Sequence, residues 1–398
     1  MSASLLKSIG NSTLSVTLFF GAIVTPASPQ GNRLVLEVDL VYPPSEAAVL
    51  SDVWHVLPSS DGTIYVVDRQ NRSIEVFGGD GRHIQTIGRE GGGPGEFRGP
   101  PFVGWIGDTL WALDMASQRV TLFDSSGNDL EVFPVTQLPH VDPYSVLQPR
   151  HLLADRTVLV TERYSTSFFE EFERRGELLQ RSSLNGEVVD TIRRASVRNR
   201  LLRFHSGDGR TTLQTSQPWS DSDLWAVSPT GGWIALVERP APEGGEGTYH
   251  LTQIPIEDTP PLERTFREKA RRLSNEMEAE WVERAVARYF SPERFRSRAD
   301  ARRAVRGALF RPSHLPLVRA VFVGLDGKIW VQREDQGNLP ERWDVYDRGQ
   351  ERPAIVFGPE NAVLLAASND FVWGITKDEL DIPHIVRYRV ISAPPFHP

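Results

Sequence analysis

The sequence predicts an all-β fold, a six-bladed β-propeller with a helical insert between its later blades. Three observations lead to this prediction. A strand rich in aromatic or aliphatic residues recurs after Gly/Asp turns, a glycine-rich junction separates the first two copies, and an early strand has no partner nearby. Units of about 40–50 residues that contain several strands are typical of propeller blades.

The repeat is clearest in the first third of the chain. The segment 61–68, DGTIYVVD, is followed by a strand at 73–77 and a turn at 80–81. A similar unit returns as 108–114, DTLWALD, with its second strand at 119–123. In both units the second strand alternates apolar and polar residues, as half-buried strands do.

Weaker copies continue towards the C-terminus. They share an aromatic or aliphatic strand near a turn, at 157–161, 231–237, 326–331 and 369–375. With the first two units these make six strands, one for each blade. The early strand 34–41 is expected to pair with the final unit at 384–390 and close the ring, because closure protects sheet edges that would otherwise aggregate.

One region, about 262–306, breaks the strand pattern and is interpreted as a helical insert. It is rich in Glu, Arg and Ala, and prolines flank it. Apolar residues recur at steps of three or four, as on one face of an amphipathic helix: Phe266, Ala270, Leu273, Met277, Trp281 and Ala285. Pro292 is expected to start a second helix. The insert is predicted to cap a propeller face or a blade edge, and docking of a partner protein is the alternative.

The N-terminus predicts export. Lys7 precedes an apolar run at 14–24 and small residues up to Ala27, the order found in a secretory signal peptide. Residues 1–27 are therefore interpreted as the signal peptide and 28–398 as the propeller domain, with an uncleaved membrane anchor as the alternative. A spanning helix needs roughly 20 apolar residues, so we expect no membrane span after cleavage. The expected location is periplasmic or extracellular.

Composition narrows the classes of partner. The formal net charge of −8 argues against a nucleic-acid-binding protein, whose contact surface is basic. The sequence has no cysteine, so the domain contains no disulfide and depends on its packed core. We expect a monomer that binds a protein or a small-molecule ligand.

The junction between the first two units, at 88–100, reads GREGGGPGEFRGP. Spaced glycines before a Phe and a Pro resemble the blade junction of NHL-repeat propellers. Glycine tolerates the positive φ that such turns need, and Phe97 is expected to bury its ring between blades. The chain resembles bacterial exported six-bladed β-propellers with NHL-like repeats, most clearly over 52–134 and also over 315–390. This resemblance implies a fold, and a fold does not by itself define a function.

Common catalytic motifs do not occur in the sequence. There is no Gly-x-Ser-x-Gly elbow and no His-Glu-x-x-His pair, and the nine histidines show no convincing ligand spacing. The Asp-x-x-Gly turn at 124–127 is similar to a calcium loop only loosely, and a blade turn explains it better. The cofactor is therefore unknown, with calcium left open.

The candidate site is the mouth of the central channel, where the innermost strands of the blades converge. These strands are expected to precede the aromatic ones, at 53–57, 102–106, 150–153, 224–227, 317–323 and 362–366. The candidate ligand-binding side chains are Trp54, His55, Trp105, Arg150, His151, Trp225 and Arg319. A guanidinium is a charged fork suited to carboxylate or phosphate. We therefore expect an anionic or aromatic ligand, and at least one of the two arginines unpaired in the channel.

Three functions remain open from the sequence, and one of them is a purely structural role in an assembly of the cell envelope. The first is a ligand- or protein-binding or scaffold module of the cell envelope, without catalytic residues. The alternative is a metal-dependent propeller enzyme, similar to lactonases or lyases of this fold, with its site at the channel mouth. The alternative requires three or more carboxylate, Asn or His side chains from several blades within reach of one ion.

Overall fold

The computed structural model describes residues 23–24, 33–42, 50–135, 138, 145–164, 169–334, 341–359, 361–379 and 381–392. Two strands come first, β1 (Ile23–Val24) and β2 (Arg33–Val41). β1 pairs in parallel with an outer strand at 262–269.

Six antiparallel blades of four strands follow within the described ranges, which confirms the predicted six-bladed β-propeller. Blades 1 and 2 consist of β3 (Val53–Pro58), β4 (Ile64–Asp68), β5 (Ser73–Phe77) and β6 (His83–Ile87), then β7 (Phe102–Ile106), β8 (Thr109–Asp114), β9 (Arg119–Phe123) and β10 (Asp129–Pro134). Blade 3 consists of β11 (Ser145–Leu152), β12 (Val158–Tyr164), β13 (Glu177–Ser182) and β14 (Val188–Ala195), with helix α1 (Phe169–Arg175) between β12 and β13.

A hairpin of β15 (Leu201–His205) and β16 (Thr212–Ser216) separates blade 3 from blade 4. Blade 4 consists of β17 (Leu224–Val227), β18 (Trp233–Glu238), β19 (Glu246–Pro255) and β20 (Leu262–Lys269). Helices α2 (Asn275–Tyr289) and α3 (Arg298–Ala308) follow. Blade 5 consists of β21 (Val318–Val323), β22 (Ile329–Arg333), β23 (Arg342–Tyr346) and β24 (Ala354–Phe357), and blade 6 of β25 (Val363–Ala367), β26 (Phe371–Lys377), β27 (Pro383–Ser392) and β2.

The repeated aromatic or aliphatic strands are the second strands of the blades. Every residue of β4 is buried, as are all but the first of β8, because both faces of a central strand pack against other sheets or loops. The fourth strands are outermost, and β10 is mostly exposed. The first strands contact those of neighbouring blades and so surround the central axis. They correspond to the six strands that were predicted to be innermost.

The first and last strands of the propeller close the ring as predicted. β2 pairs antiparallel with β27 from Leu34–Ser392 to Val41–Val386 and is the fourth strand of blade 6. Its first two residues also pair in parallel with β24, so blades 5 and 6 share one continuous sheet. Tyr42, at the end of β2, accepts a hydrogen bond from the indole of Trp373 at 3.1 Å.

The junction between blades 1 and 2 also matches its prediction. Phe97 is only 1% exposed and packs in a cluster with Tyr65 and Ile74 of blade 1 and Leu110 and Phe123 of blade 2. Gly88 has φ +75° and lies directly against the ring of Phe97. The glycine therefore provides both a left-handed turn and the space that the buried ring occupies.

The helical insert begins later than predicted. Residues 262–269 form β20, paired along its length with β19, and Phe266 stacks on Tyr249 with ring centroids 4.8 Å apart. The interpretation of Phe266 and Ala270 as helical was wrong, because pairing with β19 outweighs a spacing that also suits a helix. α2 starts after Ser274, whose side chain caps it, and α3 starts after Ser297 rather than at Pro292.

The two helices pack together with the hairpin, and we call β15, β16, α2 and α3 the cap. Its core contains Leu202, Phe204, Val282, Val286, Phe295, Ala301 and Val305. The predicted apolar face of α2 lies on this core through Met277, Trp281 and Ala285. The hairpin was not predicted. Among the helices that the structure describes, none is long and apolar enough to cross a membrane.

Candidate functional site

A cavity of about 810 Å³ lies at the centre of the ring, and we call it the central cavity. All six blades contribute first-strand residues to its wall, and the segment 217–223 between the cap hairpin and β17 contributes more. Six of the seven predicted site residues line it: Trp54, His55, Arg150, His151, Trp225 and Arg319.

Trp105 does not belong to this set. Its side chain is 6% exposed, packs edge-on against Tyr65 and donates its indole N–H to the Pro58 carbonyl at 2.9 Å. Successive side chains of a strand point to opposite faces, and this one points into the interface between blades 1 and 2. The prediction that Trp105 faces the channel was therefore wrong, although its strand is innermost.

Aromatic side chains form part of the cavity wall. Trp54 contacts Phe102 of the next blade, with ring centroids 4.9 Å apart. Trp225 donates its indole N–H to Glu177 at 3.3 Å, which fixes the ring at the wall. Trp219 also lines the cavity, and it contacts Trp281 of α2 at 6.3 Å between centroids. The cap is thus in direct contact with the cavity wall.

The two histidines carry no charge at neutral pH. Desolvation disfavours the charged form of both rings and lowers the pKa of His55 to about 4 and that of His151 to about 3. His55 is nevertheless reachable from the cavity itself. His151 donates from Nδ1 to the Leu152 carbonyl at 2.7 Å and lies edge-on to Trp111. A neutral imidazole offers hydrogen bonding to a ligand but no attraction for its charge.

Both predicted arginines line the cavity, and neither is unpaired. Arg150 donates from Nε to the Thr161 hydroxyl at 2.9 Å and has further contacts. Arg319 lies 3.9 Å from a carboxylate oxygen of Glu334. The prediction of an unpaired arginine was therefore wrong. The Arg319 side chain is still 50% exposed, and the structure gives it no hydrogen bond in the part of the chain that it describes.

Five charged side chains of the wall were missed by the sequence analysis: Glu177, Arg200, Asp223, Arg239 and Glu334. Arg200 and Glu177 form an ion pair at 2.8 Å. Arg239 is 7% exposed and donates to the carbonyls of Ser222 and Val318, at 2.7 and 2.8 Å. Burial lowers the pKa of Arg239 to about 10.

Asp223 is a buried acid of the cavity wall. The residue is 7% exposed, and burial raises the pKa of its carboxyl to about 6, against the lowering effect of the hydrogen bond from the Ser196 amide. A sequence signal existed, because the polar run 220–223, SDSD, directly precedes an apolar strand. A polar run at the entry to an innermost strand lies near the channel.

The metal-dependent alternative finds no ligand set here. Among the described residues, no three His, Asp or Glu side chains converge in a way that could hold a metal ion.

The comparisons with known proteins agree with the fold. The model of the DUF5128 family, described as a 6-bladed beta-propeller, matches residues 48–132, which cover blades 1 and 2. The chain is a six-bladed β-propeller. Among curated proteins, none matches the sequence.

Several solved structures are similar to this chain. A "putative exported protein" from Bacteroides fragilis is 11% identical, with a TM-score of 0.47 over 92% of this chain and 98% of that one. The PQQ-bound aldose sugar dehydrogenase from Streptomyces coelicolor is 11% identical, with a TM-score of 0.42 over 90% and 99%. Virginiamycin B lyase from Staphylococcus aureus, in complex with quinupristin, is also 11% identical, with a TM-score of 0.34 over 92% and 98%. These identities and scores are too low to transfer an activity to this chain.

Proposed function

We propose that this propeller is an exported binding protein whose central cavity holds a small molecule that carries an anionic group. The observation that supports this most directly is a cavity of about 810 Å³ with wall residues from all six blades. Ligand pockets of proteins measure about 300–1,000 Å³ and combine apolar walls with a few polar groups. A scaffold that binds proteins through its outer loops does not need such a cavity.

The charges of the wall favour an anion. Its cations are Arg150, Arg200, Arg239 and Arg319, and its carboxylates are Glu177, Asp223 and Glu334, four against three. Arg200 is paired with Glu177, and Arg239 is bound to backbone carbonyls. Arg319 remains the cation with the most exposed guanidinium and only a long contact to Glu334. A carboxylate or phosphate could form two hydrogen bonds with this fork.

Binding would be tested with the purified full chain and a panel of acidic compounds: aromatic and aliphatic carboxylates, sugar acids and phosphate esters. Thermal shift identifies hits, and calorimetry measures their affinity. Arg319→Met should weaken binding about tenfold or more, because hydrogen bonds to charged groups contribute about 1.5–3 kcal/mol. Arg267→Met, the same change at an exposed arginine of β20, is the matched control. Hits that bind Arg319→Met as well as the unchanged protein would contradict the proposed role of this arginine.

We also propose that residues 1–27 are removed on export. The support is the order of Lys7, the apolar run 14–24 and Ala27. Removal should leave the ring intact, since β20 is held in blade 4 by β19 without β1. Mass spectrometry of the protein from an envelope fraction should find an N-terminus near Ser28, and an intact Met1 in a cytoplasmic fraction would contradict export.

A further inference from the structure

Asp223 is a buried residue of the central cavity wall, and its carboxylate accepts few hydrogen bonds from the protein. It lies at the end of the segment that joins the cap hairpin to β17. One oxygen, Oδ2, accepts a hydrogen bond of 2.6 Å from the backbone amide of Ser196. Among the described residues, its carboxylate takes part in no ion pair within 4.0 Å, and its second oxygen has no hydrogen-bond donor.

The charged groups that act on this carboxylate have other partners. Arg239 and Arg200 attract it and Glu238 repels it, but Arg239 donates to two carbonyls and Arg200 pairs with Glu177. A buried charge without a partner is unfavourable, and proteins usually pair it or leave it to a ligand. Since Asp223 lines the central cavity, the missing partner can come from a bound molecule.

Arg239 fixes Asp223 relative to Arg319. Its Nε binds the carbonyl of Ser222, the residue before Asp223, and its Nη1 binds the carbonyl of Val318, the residue before Arg319. One buried guanidinium thus joins blade 4 to blade 5 next to both side chains. β17, which begins directly after Asp223, is also in contact with β21, which contains Arg319. A carboxylate and a guanidinium therefore belong to the wall of the same cavity, on segments that Arg239 links.

We infer that the ligand of the central cavity is a zwitterion, with an ammonium group bound by Asp223 and a carboxylate bound by Arg319. This inference rests on the function proposed above and adds the second charge. A short peptide with free termini has this chemistry, and its apolar side chains would lie against Trp54, Phe102 and Trp225. The carboxylate of Asp223 supplies the charge that a protonated amine requires, and the guanidinium of Arg319 supplies the fork for the opposite end.

The test uses the full chain at pH 7.5 and tri-L-phenylalanine and tri-L-alanine as probes. Each tripeptide is compared with its N-acetylated and its C-amidated form by calorimetry. N-acetylation should weaken binding at least tenfold to the unchanged protein and have little further effect on Asp223→Asn. C-amidation should likewise weaken binding to the unchanged protein and have little further effect on Arg319→Met. In each case the change in the peptide and the change in the protein remove the same contact, so their effects should not add. Arg267→Met should leave all affinities unchanged.

The outcomes separate this inference from the proposed function. If free and N-acetylated peptides bind equally, the inference is overturned while an anion-binding cavity stands. If no tripeptide binds but acidic compounds without an amine do, the inference is again overturned and the anion-binding cavity again stands. If neither tripeptides nor acidic compounds bind, both are overturned. Asp223→Asn is expected to keep the fold, because an amide oxygen can still accept from Ser196, and its melting curve shows whether it does.

Discussion

Asp39 of β2 lies 2.6 Å from Arg387 of β27, and the same guanidinium donates to the carbonyl of Gly79 in blade 1 at 2.8 Å. Arg389 contacts the other oxygen of Asp39 at 2.7 Å. Hydrogen bonds from Arg389 and then Arg387 hold the pKa of Asp39 below its ordinary value, against the effect of burial. This carboxylate therefore connects the strand that closes the ring with the last strand and, through Arg387, with the first blade.

Asp39→Ala should lower the free energy of unfolding at neutral pH by about 1–2 kcal/mol, the range for hydrogen bonds to charged groups at partly buried positions. Because the folded pKa is depressed, this contribution is present above the ordinary pKa of aspartate and is lost as the pH falls through the lower folded value. Urea unfolding at pH 7 and pH 3 measures both. Asp52→Ala, which removes an exposed pair with Arg69, is the control and should have almost no effect. Equal losses for both variants would contradict the role of Asp39 in closure.

Gly88→Ala should destabilise the protein by about 2–5 kcal/mol. A non-glycine residue at φ +75° costs about 1–2 kcal/mol, and a new Cβ would lie 2.2 Å from the ring of Phe97, which adds about 1–3 kcal/mol for overpacking. Gly107→Ala is the matched control, because Gly107 also has a positive φ but no atom within 4 Å of the added carbon. Thermal unfolding of the two variants isolates the contact with Phe97. Similar melting temperatures would mean that the ring can move aside.

Phe295→Ala should cost about 3–5 kcal/mol in the cap, and Trp281→Ala less, about 1–3 kcal/mol. The difference arises because Phe295 is 2% exposed whereas Trp281 is only partly buried. The cap has its own apolar core, so the loss should be local. Hydrogen exchange should speed up in α2 and α3 while the strands of the blades stay protected. The control is Glu280→Ala on the exposed face of α2, which should change hydrogen exchange neither in the helices nor in the blades. Equal acceleration in the blades would show that cap and ring unfold together.

The order of the strands and the closure of the ring could be predicted because the sequence of each strand shows how it is buried and whether it has a partner nearby. A buried second strand such as β4 needs an uninterrupted apolar stretch, and β2 could be placed because it had no partner of its own. β20 could not be recognised in the same way. Its sequence, LERTFREK, suits an exposed strand and a helix alike, and only pairing with β19 decides between them.

The site was predictable at the level of strands but not of individual charges. The position of a strand in its blade shows whether its residues can reach the cavity. A β-bulge then changes the face of the sheet to which the following side chains point, and β11 has such a register shift between Pro149 and His151. Trp105 was misplaced by the rule that an innermost strand offers all its large side chains to the channel. Asp223 and Arg239 were missed because one lies outside the strand and the other lies after the end of β18, and the ring brings them together.

Asp223→Asn should make the protein more stable at neutral pH. A carboxyl whose pKa is raised by burial to about 6 holds its proton more tightly in the folded state than in the unfolded state. Below the ordinary pKa of aspartate both states are protonated, and the group has no effect. As the pH rises from there to about 6, the unfolded state ionises first, so the free energy of unfolding falls by up to about 3 kcal/mol and then stays level.

The Asn variant lacks this ionisation and keeps an acceptor for the Ser196 amide. Its free energy of unfolding should therefore exceed that of the unchanged protein by up to about 3 kcal/mol at pH 7.5 and by less than about 1 kcal/mol at pH 4. Urea unfolding at both pH values measures the difference. Asp221→Asn is the control two residues away, where the carboxylate is partly exposed and accepts from Asn199 at 2.9 Å, and it should not stabilise. A variant at Asp223 that is equally stable at both pH values would show that the carboxylate is compensated within the fold, and the cavity would then have no unpaired charge for a ligand to meet.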